Sequence, residues 1–229
     1  MLEQILTQIY PLNEYNVILA NGNFPTNSYL ISLIHQAKTV ICCDGAVTKL
    51  LKHTIYPNHI IGDCDTLTKE IRQYFADQII TIPDQNTNDL TKAVHFAYHT
   101  LHLDNIIVLG ATGLREDHSI ANIALLGEYI KIINDIAIIS DYGIFNAHSK
   151  PVQLKTIPGQ QISFFTLNHS TTINCNELKW QLNNFNLTSW YQGTLNEAVA
   201  DIINLEISDT VIIFRSFEIK TNSEVTAVI

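Results

Sequence analysis

The chain has 229 residues, with 13 Lys+Arg against 22 Asp+Glu and a net charge of −9. That balance excludes a basic nucleic-acid groove, which needs clustered cations to displace counterions from phosphates, and a polybasic membrane surface. At 46% hydrophobic and 15% charged residues, the composition is that of a globular chain long enough for one large domain or two smaller ones.

No basic segment followed by an apolar run opens the chain, and no apolar stretch reaches 18 residues, so neither a signal peptide nor a membrane span is predicted. The first two-thirds alternates strand-like and helix-like segments. Apolar runs at Val17–Ala20, Thr39–Cys43, Ile60-Ile61, Ile79–Ile82, Ile106–Leu109 and Ile136–Ser140 read as strands. The clearest helix begins at Asn88-Asp89, with Leu90, Ala93, Val94, Ala97 and Leu101 at helical spacing; Asp117 to Ile133 reads as another. This alternation predicts a Rossmann-like parallel α/β sheet over residues 1–147.

Beyond about Asn146, Pro151, Pro158 and Gly159 punctuate the chain. Short β-rich runs follow at Gln161–Leu167, Thr171–Asn174, Leu178–Leu182 and Thr210–Phe217, which predict a smaller all-β sandwich over 148–229. The cysteines, Cys42, Cys43, Cys64 and Cys175, include no C-x-x-C pair. Buried thiols in a reducing cytoplasm are expected rather than a disulfide framework or zinc site.

In open α/β sheets, ligands bind beyond the carboxyl ends of the strands. Polar clusters follow the apolar runs repeatedly: Asn21-Gly22-Asn23, Asp44-Gly45, Gly62-Asp63-Cys64-Asp65-Thr66, Asp84-Gln85 and Gly110–Gly113. Asp63 and Asp65 are spaced to project to one side of an extended strand end, where Mg²⁺ takes carboxylates together with substrate phosphates. Asp89, at a helix start, adds a third carboxylate at the same edge. Each cluster alone reads first as a solvated turn or a helix cap; it is five of them at one predicted sheet edge that point to a site. Gly113-Leu114-Arg115-Glu116-Asp117-His118 leads into a helix whose backbone N–H groups suit phosphate, with Arg115 as a forked donor or as the partner of a neighbouring carboxylate. No P-loop, G-x-G-x-x-G or G-x-S-x-G pattern is present.

In this order, Asn21-Gly22-Asn23-Phe24-Pro25, Asp44-Gly45-Ala46, Gly62–Thr66, Gln85–Asp89 and Gly113–His118 with Ala121-Asn122 resemble the motifs of the thiamine pyrophosphokinase family. Leu178–Leu182 is similar to a strand of the family's sandwich, and Gly193–Asn196 to its later S-x-S-N segment. The resemblance implies diphosphate transfer from ATP to the hydroxyethyl group of thiamine. It also implies Mg²⁺ on Asp63, Asp65 and Asp89, with Arg115 on phosphate. Asn23, Asp44, Gly45, Gly113, Asp117 and His118 would line the nucleotide side, and Gln85, Thr194 and Asn196 would contact thiamine. It implies a homodimer with active sites at the subunit interface; the acidic balance, not the resemblance, predicts no nucleic-acid or membrane partner. Thr66, Asn86, Leu114 and Leu195 depart from the family pattern. Leu114, in place of a glycine, is expected to avoid positive φ, and Trp180 is expected in the sandwich core, with stacking in the thiamine pocket as its other reading. A pyrophosphokinase for a pterin alcohol and a non-catalytic nucleotide- or thiamine-binding protein remain the alternatives.

Overall fold

The computed structural model describes residues 1–220; residues 221–229, the end of the expected β domain, lie outside it. The chain divides into two compact units, one formed by Asn13–Asp141 and the other by Met1–Leu12 with the chain from Tyr142 onward. The N-terminal helix α1 (Leu2–Ile9) therefore groups with the C-terminal unit, not with the segment that follows it in sequence.

Within Asn13–Asp141 the elements are β1 (Asn16–Leu19), α2 (Ser28–Gln36), β2 (Val40–Cys43), α3 (Val47–Lys52), β3 (His59–Gly62), α4 (Lys69–Tyr74), β4 (Ile79–Thr81), α5 (Asp89–His99), β5 (Ile106–Leu109), α6 (Glu116–Tyr129) and β6 (Ile136–Ser140). The strands pair in parallel in the order β6-β5-β1-β2-β3-β4. Every residue of β1, β2 and β5 is buried. Burial of successive residues, and so of both faces of these strands, accounts for their unbroken apolar runs. Strand order reverses direction at β1, which lies between β5 and β2, so the crevice beyond the carboxyl ends of β1 and β5 is the topological switch point. At the start of α5, the Asn88 side chain accepts a hydrogen bond from the Thr91 backbone N–H, as the Asx signal predicts.

The second unit is predominantly β: β7 (Gly143–His148), β8 (Val152–Lys155), β9 (Gln160–Phe165), β10 (Thr172–Cys175), β11 (Leu182–Asn186), β12 (Asn196–Glu197), β13 (Ile202–Ile207) and β14 (Val211–Ile219). One antiparallel ladder runs β12-β9-β14-β7 and another β11-β10-β13-β8. Side chains from both ladders, among them Leu154, Phe164, Ile173, Leu205 and Ile213, form one core, a sandwich-like arrangement. Helix α1 buries Ile5, Leu6 and Ile9. Arg215 of β14, itself buried, donates to the Ile9 carbonyl at 3.0 Å, the Lys155 carbonyl at 2.7 Å and Asn146 Oδ1 at 2.8 Å, tying α1 to β8 and β7.

Two expectations for this unit are corrected. Leu178–Leu182 is not a strand: Leu178 makes a single bridge to Ala198, and regular pairing starts only at Leu182. Trp180 is 55% exposed instead of lying in the core, because Leu178 and Leu182 take the inward positions around it. The Lys179 ammonium stands 5.2 Å from its ring centroid.

Candidate functional site

The carboxyl edge of the parallel sheet is built from backbone first. Asn21-Gly22 leaves β1 and meets the loop that leaves β5, with the Gly22 N–H donating to the Gly110 carbonyl at 2.7 Å and the Asn23 N–H to the Thr112 carbonyl at 2.9 Å. A Cβ on Gly22 would lie 2.5 Å from both of those carbonyl oxygens, so only glycine lets the two loops approach this closely. Gly113 has φ +77°, and a Cβ there would fall 2.3 Å from the Asn23 amide nitrogen. Asn23 and Gly113, both assigned to the nucleotide side, are therefore packed against each other.

Leu114 also adopts positive φ, at +62°, which corrects the expectation that this loop avoids it. The turn needs the left-handed conformation to enter α6, and the 68% exposure of Leu114 means that packing does not compensate for the strain. Cys64, between Asp63 and Asp65, is left-handed as well, at +61°. Its carbonyl accepts from Arg72 of α4, whose Nε also donates to the Leu67 carbonyl at 3.2 Å; one guanidinium holds both ends of the Asp63–Leu67 turn.

These loops enclose a pocket of about 450 Å³, lined among others by Asp63, Gln85, Asp89, Lys92, Arg115 and His118. That size suits a small-molecule ligand. Asp44 opens a short 3-10 helix after β2 and is 6% exposed. The Thr66 hydroxyl donates to its Oδ2 at 2.5 Å, while its Oδ1 is buried without a hydrogen-bond partner. Gly45 follows it, with space for a Cβ only 3.1 Å from the Asn21 amide nitrogen. One carboxylate oxygen from each of Asp44, Asp63 and Asp65 lies within 4.8 Å of the others. Three hard oxygens at that spacing, one of them on a buried carboxylate with an unpaired oxygen, fit a divalent cation such as Mg²⁺. Burial is the main cause raising the Asp44 pKa, with Asp89 and Asp63 adding repulsion against the opposing Thr66 bond. Asp63 is held low, first by the Asp65 N–H and, among the smaller causes, by Gln85 Nε2 at 3.4 Å and by the Lys92 charge.

Asp89 faces the same pocket, but its Oδ1 is 3.0 Å from the Lys92 ammonium, whose side chain is only 5% exposed. The sequence reading did not single out Lys92. The available signal was a lysine within the first turns of a helix, where the macrodipole disfavours cations, flanked by the buried positions Leu90, Ala93 and Val94. Arg115 spends its fork on Asp117, at 3.1 Å from Nε and 2.5 Å from Nη2, and both side chains are largely exposed. That pairing lowers the Asp117 pKa to about 2. His118 lines the pocket, and Asp117 also accepts from its backbone N–H at 2.9 Å. Asn122 Nδ2 donates to the Ala111 carbonyl and its Oδ1 accepts from Asn88, bracing the starts of α5 and α6.

The remaining two residues lie in the β unit. Thr194 donates to the Tyr191 carbonyl at 2.8 Å. Asn196 is buried, with Nδ2 donating to the Trp180 carbonyl and Oδ1 accepting from the backbone N–H groups of Trp180 and Glu197, so its amide braces the Trp180 segment. Leu195 between them is left-handed, at φ +61°, and 63% exposed.

Two family models match the chain, "Thiamin pyrophosphokinase, catalytic domain" over residues 30–139 and "Thiamin pyrophosphokinase, substrate-binding domain" over 143–214. Thiamin pyrophosphokinase 1 of Caenorhabditis elegans is 32% identical over 107 residues, which is 43% of this chain and 44% of that protein. Thiamine pyrophosphokinase 1 of Oryza sativa subsp. japonica is 25% identical over 211 residues, 80% of this chain and 78% of that protein. The chain spans about half the length of two of the curated relatives it matches. Among solved structures, a probable thiamine pyrophosphokinase from Staphylococcus saprophyticus subsp. saprophyticus is similar with a TM-score of 0.69 and 27% identity, covering 89% of this chain and 99% of that one.

Proposed function

Since the chain belongs to the thiamin pyrophosphokinase family, we propose that it is a thiamine diphosphokinase, moving the β,γ-diphosphate of ATP onto the hydroxyethyl oxygen of thiamine and releasing AMP. The observation that carries this reading is the gathering of Asp63, Asp89, Arg115 and the glycine-bearing loops around one pocket at the switch point of the parallel sheet. That sheet order also supports a Rossmann-like description of the first unit.

The transfer forms a bond from the thiamine hydroxyl oxygen to the β-phosphorus and breaks the bond from that phosphorus to the α-phosphate oxygen. It asks the protein mainly for positioning and charge neutralisation. Bound Mg²⁺ would supply neutralisation between the phosphate oxygens and the acidic edge. Asp63 and Asp65 are its assigned ligands, and Asp89 is the third carboxylate that the family resemblance names. Arg115 turns from Asp117 to the phosphates when nucleotide enters, a short movement for an exposed side chain. Asn23, Asp44, Gly45, Gly113, Asp117 and His118 shape the nucleotide side. Gln85, beside Asp63, meets the thiamine end, and Thr194 and Asn196 shape the thiamine surface of the β unit.

We assign a homodimer in which the β unit of one copy completes the pocket of the other. Exposed Trp180, Tyr191 and Leu195 support it, since they are apolar surface that a second copy would cover. Four buried free thiols suit a cytoplasmic setting. Among the described residues no helix is long and apolar enough to cross a membrane.

The test is AMP release from ATP and Mg²⁺ with either thiamine or a hydroxymethylpterin as acceptor. Release with thiamine is expected; release with the pterin alone would overturn the assignment.

A further inference from the structure

We infer that Lys49, on α3, is a positioning residue for the nucleotide: it holds the Asn21–Asn23 loop, and through that loop the turn at Gly113, in the shape that receives ATP. This rests on the reading above that the pocket takes ATP.

Lys49 spends its charge differently from its neighbours in composition. Lys38, Lys92, Lys131 and Lys179 each pair with a carboxylate. The half-buried Lys49 instead donates to two successive peptide carbonyls, that of Asn21 at 2.8 Å and that of Gly22 at 2.6 Å. A charged donor makes shorter and stronger hydrogen bonds than a neutral one, so it holds its acceptors more firmly. The same two peptides are gripped on their other edge. The Asn21 carbonyl shares a peptide plane with the Gly22 N–H, which donates to Gly110, and the Gly22 carbonyl shares one with the Asn23 N–H, which donates to Thr112. Each plane is rigid, and each is fixed from two sides, by Lys49 and by the loop leaving β5. Neither can rotate without breaking a bond.

The orientation of these planes matters because of what they carry. Asn21 and Gly22 line the pocket, and Asn23 packs on Gly113, which leads to Arg115. A second contact from α3 works in the same direction. His53, one helical turn beyond Lys49, stacks on Phe24 of the same loop, with ring centroids 4.5 Å apart and 13° between planes. Helix α3 itself starts directly after Asp44-Gly45, and a Cβ on Gly45 would lie 3.1 Å from the Asn21 amide nitrogen. One short helix therefore ties together two segments assigned to the nucleotide side. Water can replace Lys49 at the two carbonyls, but it cannot fix their direction.

The test is binding of α,β-methylene-ATP with Mg²⁺ to the full chain, an analogue whose blocked bond prevents transfer, followed by steady-state kinetics. Lys49→Met keeps the apolar stem and loses the ammonium. It should weaken analogue binding and raise the KM for ATP about tenfold each, with the KM for thiamine changed by less than about twofold. Lys49→Arg, which presents forked donors to the same carbonyls, should recover most of the loss. Lys52→Met removes an equal charge from an exposed position on the same helix and should bind as the wild type does. A role in stability alone would lower Tm and leave the affinity of the folded protein unchanged. Wild-type affinity in Lys49→Met would therefore overturn the inference, as would an equal rise in both KM values. An equal loss in Lys52→Met, the mark of simple charge attraction, would overturn it too. If circular dichroism shows that Lys49→Met does not fold, Lys49→Gln is read in its place, and wild-type affinity there has the same meaning. A wild-type chain that binds no analogue would also overturn it. Analogue binding without AMP release on thiamine would sink the proposed function and leave this inference standing; AMP release from thiamine with unchanged affinity in Lys49→Met would do the reverse.

Discussion

Leu114 offers a sharp test of the geometry that feeds Arg115 into the pocket. Its φ of +62° is a conformation that disfavours L side chains, by about 1–2 kcal/mol relative to the right-handed region. Leu114→Ala keeps that strain, because the Cβ remains. Leu114→Gly removes it but costs about 0.5–1 kcal/mol in backbone freedom. The side chain is 68% exposed, so both variants give up nearly the same modest contact. The glycine variant should therefore exceed the alanine variant by about 0.5–1 kcal/mol, or about 1–4 °C in Tm for a protein of this size. At an ordinary helical or extended position the order is the reverse. Urea titrations of the two variants with equal m values measure the difference directly. An alanine variant as stable as, or more stable than, the glycine variant would show that position 114 is not left-handed in solution.

Gly113→Ala places a methyl 2.3 Å from the Asn23 amide at φ +77°. It should cost at least about 1–2 kcal/mol and raise the KM for ATP, measured by thermal melting and steady-state kinetics. The Asp117 carboxyl, held down by Arg115, should titrate near pH 2 in a carbon-detected NMR experiment, and Arg115→Ala should return it toward the ordinary carboxylate value. Because its folded pKa is depressed, the pair's contribution is present above about pH 4 and is lost as pH falls toward 2. His148 is pushed down from 6.5 to about 4, first by burial and then by Arg215. Its folded form resists protonation, so stability is full above pH 6.5 and falls between 6.5 and 4, by up to about 3 kcal/mol. Urea denaturation at pH 7 and pH 4.5 should show this loss in the wild type and a smaller one in His148→Phe; equal losses would refute it.

The parallel sheet was readable from sequence because its strands are buried on both faces, which turns Ile106–Leu109 and Ile136–Ser140 into unbroken apolar runs with polar residues at their ends. The Asp63 and Asp89 clusters followed from that edge, as did the Asn88 cap. The expectation for Leu114 fails because residue type sets only a preference for the sign of φ, whereas the turn into α6 imposes it. A glycine in the family pattern marked the need for a left-handed turn, and the leucine adopts that turn with the strain unrelieved. Trp180 lies in an alternating run with Leu178 and Leu182 that has the pattern of a strand, whereas the bridge to Ala198 and the Asn196 amide hold it as a bend. Lys92 and Asp44 were hard to weigh because burial of a charged side chain depends on partners brought together by the fold. Helix α1 is not among the helices that the sequence predicts, and its buried face, Ile5, Leu6 and Ile9, names no partner in the sequence.

Arg215 reaches back 206 positions along the chain to the carbonyl of Ile9. On the ribosome, the N-terminal helix emerges first and its anchor near the end. At about 5–20 residues per second the interval is roughly 10–40 s, far longer than helix formation, and an isolated helix of 8 residues is marginal in water. The Asn13–Asp141 segment carries its own core and can fold as an insertion during that interval. The bond from Arg215 to Ile9 therefore cannot form until β14 has been made, long after Leu2–Ile9.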